Sequence, residues 1–348
     1  MNDRTLNING RLIGEGHPTF VVAEIGLNHN GNLSLAKKMI KLAKDSGADA
    51  VKFQKRDLKA IYKEDVYNDP NQDSQSTVYL FSIFKKYELD KSEYIELKKY
   101  CDEIGIIFFA TPFDLESVEF LESLQVPLYK IASGDLTNIP LIHRIIKTKK
   151  PIILSTGMSN PSEIDYTVKF LNKNKAKFAL MHCVSTYPAN FKDVNLKMIN
   201  VLKETYKVPV GYSGHERGIT VAVCAVALGA NIIEKHFTLD RSMDGPDHNL
   251  SIMPEGLKKM VDRIRVAEVA IGNGIRTIAR GEILTREVFG KSLVAAVPIK
   301  AGEVITHRMI DVKSPGKGLS PQLIDKLIGK KTKRNIAKND YFIHSDIQ

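Results

Sequence analysis

Eight short apolar runs, spaced roughly every 25 to 30 residues and separated by helix-periodic polar stretches, restrict the fold more than any other feature of the chain. They are Phe20 to Ile25, Ala50 to Phe53, Ile106 to Ala110, Leu128 to Ala132, Ile152 to Ser155, Phe178 to Cys183, Val208 to Tyr212 and Asn231 to Phe237. A strand that is apolar almost throughout has both faces covered, which is the condition of a parallel sheet layered by helices. The intervals hold amphipathic stretches of helical period: Ser34 to Asp45, Lys91 to Glu103, Leu115 to Leu124, Ser162 to Asn172, Asn195 to Tyr206 and Thr220 to Leu228. Eight such units within about 250 residues predict an α/β fold, a (β/α)8 TIM barrel. A doubly wound open sheet competes, but it uses fewer strands and a glycine-rich phosphate turn, and the sequence has neither a GxGxxG nor a Walker pattern.

Two departures from the alternation divide the chain. Between Gln54 and Lys91 runs a polar excursion longer than an ordinary βα loop, read as part of the wall of a site. Beyond a helix predicted over Pro254 to Ile271, GNGIRTIARGE has linker composition. At 348 residues the chain suits one large domain or two ordinary ones. The expected division is a barrel over 1–272, a linker over 273–281 and a small β-rich domain over 282–348. In that last part PIKAGEVI and NIAKNDYFI echo one another, suggesting two half-repeats.

Cys101, Cys183 and Cys224 are odd in number and widely spaced, so they read as buried thiols rather than a disulfide framework or a thiolate zinc site. Net charge is +10, and residues 282–348, with 12 Lys and Arg against 7 Asp and Glu, hold half of the surplus. Such a balance attracts anions. The apolar run Val221 to Leu228 is far short of the ~18 residues of a membrane span, and the N-terminal residues lack a signal-peptide core. A soluble cytoplasmic protein without a membrane partner is expected.

Barrel chemistry sits at the C-terminal strand ends, and polar residues occur at all eight: Glu24; Lys52 and Gln54; Thr111; Lys130 and Ser133; Ser155 and Thr156; Ser185; Ser213 and His215; Glu234 and His236. Residues two apart on a strand share a face, so Lys52 with Gln54, Ser213 with His215 and Glu234 with His236 can each enter one mouth. Two lysines among hydroxyls make a cradle for a phosphate or carboxylate, because an anion offsets the cost of burying an ammonium. The alternative is that both lysines point outward. His215 and His236, at neighbouring strand tips, have the chemistry of a two-imidazole site for a divalent ion, and also that of hydrogen-bonded structural rings. The loops AEIGLNHNG and DGPDHNLS add Glu24, Asn28, Asp244, Asp247 and His248.

The motifs AEIGLNHNG, VKFQ, ATPFD, YKIASGD, ILSTGM, HCVSTYP, GYSGH, IEKHFTLD and GPDHNLS, in this order, resemble the sialic acid synthase family. Residues 282–348 look like that family's C-terminal antifreeze-like domain, also called SAF, a β-clip. The resemblance implies condensation of phosphoenolpyruvate with an N-acyl hexosamine, typically N-acetylmannosamine, and water, to give N-acetylneuraminate and phosphate. It implies a divalent metal, Mn2+ foremost with Mg2+ or Co2+ as substitutes, held by His215 and His236 and polarising the aldehyde. Lys52, Thr111, Lys130, Ser133, Ser155, Ser185 and Ser213 fall on the phosphoenolpyruvate positions, Ser185 standing where some members have an amide. Gln54, Tyr187 and Asp247 fall on sugar positions. Glu24 lies beside the reacting carbons, and Asp135 stands where a glutamate is frequent. A domain-swapped homodimer is implied, its basic C-terminal domains drawing in the anionic substrate.

One departure affects the sugar. Some members carry an arginine in an RPG sequence that contacts the N-acyl group; here Ser314 holds that place, with Lys313 and Lys317 as the nearby cations. Synthases of legionaminic or pseudaminic acid, which use 2,4-diacetamido sugars, therefore stay open. Heptulosonate- or octulosonate-type synthases would share the cradle and metal but not the motifs. A glycan-, ice- or nucleic-acid-binding protein is the non-enzymatic reading; the C-terminal lysines lack the interleaved aromatics suited to base stacking.

Overall fold

The computed structural model describes residues 5–346 and divides into two compact units, Met1–Gly272 and Asn273–Gln348. The first unit opens with an antiparallel hairpin, β1 (Thr5–Ile8) and β2 (Arg11–Gly14). Eight parallel strands follow: β3 (Phe20–Gly26), β4 (Ala50–Lys55), β5 (Ile107–Pro112), β6 (Tyr129–Ile131), β7 (Ile152–Ser155), β8 (Phe178–Cys183), β9 (Val210–Gly214) and β10 (Ile232–His236). Their order, β5-β4-β3-β10-β9-β8-β7-β6, is that of a TIM barrel, with β5 and β6 at its closing seam. All eight strands lie on the runs expected from sequence.

The barrel has two cores. The outer one packs strand residues such as Val21, Val51, Leu154 and Tyr212 against the helix layer, where Met39, Leu97, Ile142 and Ile264 are buried. The inner one holds Phe20, Val22, Ala50, Phe109, Leu128, Ile153, Met181 and Ile232. Because strand side chains alternate, each inward position has a successor two residues on. Phe20 and Val22 lead to Glu24, Ala50 to Lys52, Phe109 to Thr111, Ile153 to Ser155 and Ile232 to Glu234. The interior is thus apolar at the strand starts and polar at the strand ends.

The hairpin was not foreseen. Leu6, Ile8 and Ile13 join the inner core and plug the barrel at its strand-start end. Its turn, Asn9-Gly10, has φ of 50° and 84°, the left-handed geometry that an Asn-Gly hairpin supplies.

The excursion after β4 is helical, over Leu58–Ile61, Glu64–Asn68 and Gln75–Tyr87. The second unit begins at Asn273, the first residue of the expected linker, and residue 282 falls inside a helix over Arg280–Phe289. Beyond it, β11 (Ser292–Ala295) pairs antiparallel with β12 (Ile310–Lys313) around Leu293, Ile299, Ile305, Leu319, Leu327, Ile336 and Phe342. The two echoes meet, Ile299 and Ile336 exchanging backbone hydrogen bonds of 2.8 Å in both directions. Cys101 and Cys183 are buried as expected, whereas Cys224 is exposed. Among the described residues no helix is long and apolar enough to cross a membrane.

Candidate active site

A cavity of about 500 Å³ opens at the C-terminal strand ends, a volume suited to small ligands. Of the residues expected there, Glu24, Lys52, Gln54, Thr111, Lys130, Ser133, Ser155, Ser185, Tyr187, Ser213, His215, His236 and Asp247 all line it. Two do not. Asp135 lies half-buried in the turn Ser133–Asp135 and accepts a hydrogen bond from Asn138 Nδ2 at 2.9 Å, with Gly134 reaching the cavity instead. Lys313 belongs to the second unit, where its exposed ammonium donates to Asn339 Oδ1 at 2.6 Å.

Both lysines point inward and are buried. Lys52 Nζ lies 3.0 Å from Glu24 Oε2, 3.5 Å from Glu234 Oε1 and 3.2 Å from Thr111 Oγ1. Lys130 Nζ donates to Ser155 Oγ at 2.5 Å and to the Ile131 carbonyl at 2.9 Å. Burial opposes the Lys52 charge, but Glu234 and Glu24 outweigh it and hold the proton more tightly. Burial pushes Glu234 up as well; Lys52 and Lys130 together outweigh it and keep this carboxylate ionised. Glu24 goes the other way, because its burial exceeds what Lys52 alone returns, with Glu234 adding to the rise.

Gln54 joins this cluster to the rim. Its Nε2 donates to Glu24 Oε1 at 2.9 Å, and its Oε1 accepts from Arg56 Nη2 at 2.6 Å, so the two partners fix the orientation of the amide. Below, Gly157 lies so close to Ser133 and Ser185 that a Cβ there would come within 2.8 Å of Ser133 Oγ and 2.9 Å of Cys183 Sγ. The absence of that side chain leaves the hydroxyls open. Ser185 Oγ is buried without a hydrogen-bond partner.

The two histidines face each other with ring centroids 5.5 Å apart, and Tyr187 stacks on His215 at 4.2 Å. His215 Nδ1 donates to the Val184 carbonyl at 2.6 Å, which leaves Nε2 unprotonated. His236 Nδ1 is buried without a partner, 3.5 Å from Asp247 Oδ2. Burial keeps both rings neutral, lowering His215 to about 4 and His236 to about 3. Two neutral imidazoles, one with an orphaned nitrogen, fit a divalent ion. The charge balance agrees, since Lys52, Lys130 and Arg56 share the cavity with the carboxyls of Glu24, Glu234 and Asp247, which leaves little surplus for a polyanionic substrate. Among the described residues no group of three or more His, Cys, Asp or Glu is arranged to hold a metal, so the remaining ligands would come from substrate and water.

Other polar residues of the two loops prove structural. Asn28 Nδ2 donates to the Phe237 carbonyl and to Ser251 Oγ, both at 2.9 Å, and buried His248 bridges Thr238 Oγ1 at 2.7 Å and Asn30 Oδ1 at 2.9 Å. They clasp one loop to the other and present Asp247. His182, with Nε2 2.6 Å from the Val194 carbonyl, is likewise structural. Sequence reasoning missed Arg56, Leu80, Phe84 and Phe113, which complete the wall. It also missed a fully buried ion pair behind the histidines. Lys235 Nζ donates to Glu216 Oε1 at 3.0 Å and to the Glu216 carbonyl at 2.5 Å, while Tyr212 donates to Glu216 Oε2 at 2.5 Å. The signal was available: Lys235, between two inward residues, must face outward into the helix layer and needs a partner there.

Comparison with known proteins agrees with this geometry. Residues 39–276 match the NeuB family and residues 290–348 the SAF domain. The chain is 42% identical to the N,N'-diacetyllegionaminic acid synthase of Campylobacter jejuni over 92% of its own length and 98% of that protein's. It is 37% identical to the N-acetylneuraminate-9-phosphate synthase of Homo sapiens, covering 95% of this chain and 93% of the human one. The crystal structure of N-acetylneuraminic acid (sialic acid) synthetase from Leptospira borgpetersenii serovar Hardjo-bovis, in complex with citrate, superposes with a TM-score of 0.74 at 38% identity, over 81% of this chain and 94% of that one. Barrel, cavity residues and both sequence matches lead to one conclusion: the chain belongs to the NeuB family and carries a C-terminal SAF domain.

Proposed function

We propose that this protein condenses phosphoenolpyruvate with an N-acyl hexosamine and water, forming a carbon–carbon bond to give a nine-carbon sialic-acid-type product and free phosphate. The observation that carries the reading is the pair of buried lysines turned into the cavity beside an unpartnered serine hydroxyl. Lys52 and Lys130, with Thr111, Ser133, Ser155, Ser185 and Ser213, would receive the phosphate and carboxylate of phosphoenolpyruvate. Gln54, Tyr187 and Asp247 would hold the open-chain sugar. Glu24, the buried carboxyl whose pKa is raised, is suited to hold or move a proton near neutral pH. His215 and His236 would hold a divalent ion, Mn2+ foremost, which when bound supplies electrophilic polarisation of the aldehyde oxygen. The stacked Tyr187 ring shields His215 and excludes water from that side.

The sequence expectation is N-acetylmannosamine as the sugar and N-acetylneuraminate as the product. A 2,4-diacetamido sugar is the second reading, supported by the higher identity to the Campylobacter legionaminic acid synthase, 42% against 37% for the human relative. Phosphate release from phosphoenolpyruvate, with and without Mn2+, against a panel of hexosamines and with product mass as readout, tests both. Release with N-acetylmannosamine supports the first sugar, and release with the diacetamido sugar alone supports the second. No release with any sugar refutes the reaction. We also propose a domain-swapped homodimer; a monomer in sedimentation at assay concentration would refute that.

A further inference from the structure

The cavity wall holds a third cation, which neither the lysine cradle nor the histidine pair employs. Arg56 comes one residue after β4 and is 5% exposed. Its guanidinium carbon lies 4.1 Å from the ring centroid of Phe84 and 4.4 Å from that of Phe113, so two aromatic rings hold it in place. Nη2 donates to Gln54 Oε1 at 2.6 Å; Nη1 is buried and has no partner. Arginine does not deprotonate in proteins, so an orphaned Nη1–H is an unmet donor on a permanent charge, a costly arrangement unless an acceptor arrives.

We infer that Arg56 Nη1 receives the carbonyl oxygen of an N-acyl group on the sugar, with Leu80, Phe84 and Phe113 packing against the acyl methyl. The inference rests on the proposed reaction and names a determinant of its sugar specificity. Position supports it: Arg56 is joined through Gln54 to Glu24, and Glu24 to Lys52, so it lies one glutamine beyond the cradle. Charge decides between a neutral and an anionic acceptor. The adjacent Lys55 is already paired with Glu88, whose carboxylate also acts on Arg56, and Asp247 adds a carboxylate to the same cavity. A phosphate is held best by several charge-assisted donors, whereas an amide carbonyl needs one. The aromatic faces exclude water around it, which strengthens a hydrogen bond to a neutral oxygen.

The test compares wild type with Arg56→Gln and Arg56→Lys, using N-acetylmannosamine and 2,4-diacetamido-2,4,6-trideoxymannose as sugar probes. A wild type that releases no phosphate with either sugar refutes the reaction itself, a separate failure. With an active wild type, both variants are expected to raise the sugar KM about 10- to 100-fold, with the phosphoenolpyruvate KM within about twofold and the thermal midpoint nearly unchanged. Mannose, which has no acyl group, is expected to inhibit all three proteins equally. An unchanged sugar KM, a parallel rise for both substrates, or equal weakening of mannose overturns the inference. N-acetylmannosamine 6-phosphate supplies the anionic arm: a loss about tenfold greater for it than for the unphosphorylated sugar would make Arg56 a phosphate ligand and overturn the carbonyl assignment.

Discussion

Replacing Lys235 with Met preserves most of the side chain's apolar stem and removes its charge, leaving the Glu216 carboxyl without its cation in a place water does not reach. Both residues are 0% exposed. At the 3.0 Å separation of Nζ and Oε1, Coulomb's law with an effective dielectric of about 20 gives roughly 5 to 6 kcal/mol. Desolvation of both groups offsets much of that in the intact pair, but a lone buried carboxylate keeps its own penalty, so breaking the pair costs about 3 to 5 kcal/mol. Tyr212 still donates to Oε2 at 2.5 Å and limits the loss. For a unit this large each kcal/mol lowers the melting temperature by roughly 2 to 4 °C, a fall of roughly 6 to 20 °C. Urea unfolding of metal-stripped protein measures it directly. The double variant Lys235→Met/Glu216→Leu, which leaves neither charge, is expected to recover most of the loss. A single variant within about 1 kcal/mol of wild type, or a double as damaged as both singles added, refutes the argument. Because Glu216 follows His215 and Lys235 precedes His236, the pair also ties the tips of β9 and β10 together. Mn2+ affinity measured by paramagnetic resonance is accordingly expected to fall by about 10- to 100-fold in the single variant.

Gly157→Ala would direct a Cβ to 2.8 Å from Ser133 Oγ and 2.9 Å from Cys183 Sγ. The phosphoenolpyruvate KM is expected to rise at least about tenfold, with a stability loss of about 1 to 3 kcal/mol; an unchanged KM would place the phosphate elsewhere. Burial lowers His29 from 6.5 to about 4. The unfolded chain therefore takes up its proton first, and the stability of the neutral ring, whole above about pH 6.5, is lost as pH falls toward 4, by up to about 3 kcal/mol. His29→Gln should flatten urea midpoints across that window, and a slope parallel to wild type would assign the loss to other groups. His236→Ala is expected to abolish metal-dependent turnover with the circular dichroism spectrum retained; wild-type activity in metal-free buffer would refute the role of the ring.

The barrel was legible because its strands are buried on both faces, so each appears as a short apolar run such as Phe178 to Cys183, too brief for a helix and repeated at a regular spacing between helical stretches. The mouth was legible because polar residues end otherwise apolar strands: Lys52 two positions after Ala50, and Glu234 two after Ile232, leave little choice of side. The hairpin escaped notice because Leu6 and Ile8 are spaced among polar residues, although Asn9-Gly10 is a strong turn signal. Arg56 escaped because it stands among Lys55, Asp57 and Lys59, and only the fold brings Phe84 and Phe113 to its two faces. Asp135 was placed in the cavity by its motif, yet the Ser133–Asp135 turn carries its carboxylate to Asn138. Side-chain direction within a tight turn is not set by the two-residue alternation that served for the strands.

The hairpin plug governs traffic. With Leu6, Ile8 and Ile13 filling the strand-start end, the described barrel interior is closed there, and in the proposed reaction both organic substrates and both products would share the mouth at the strand ends. Lys52 lies one pleat deeper than Gln54 on β4, so in the proposed reaction the ligand seated on the lysines enters first and, once the sugar stands above it, cannot leave. Turnover then follows a compulsory sequence, and excess sugar arriving early blocks the mouth, which would appear as substrate inhibition relieved by raising phosphoenolpyruvate.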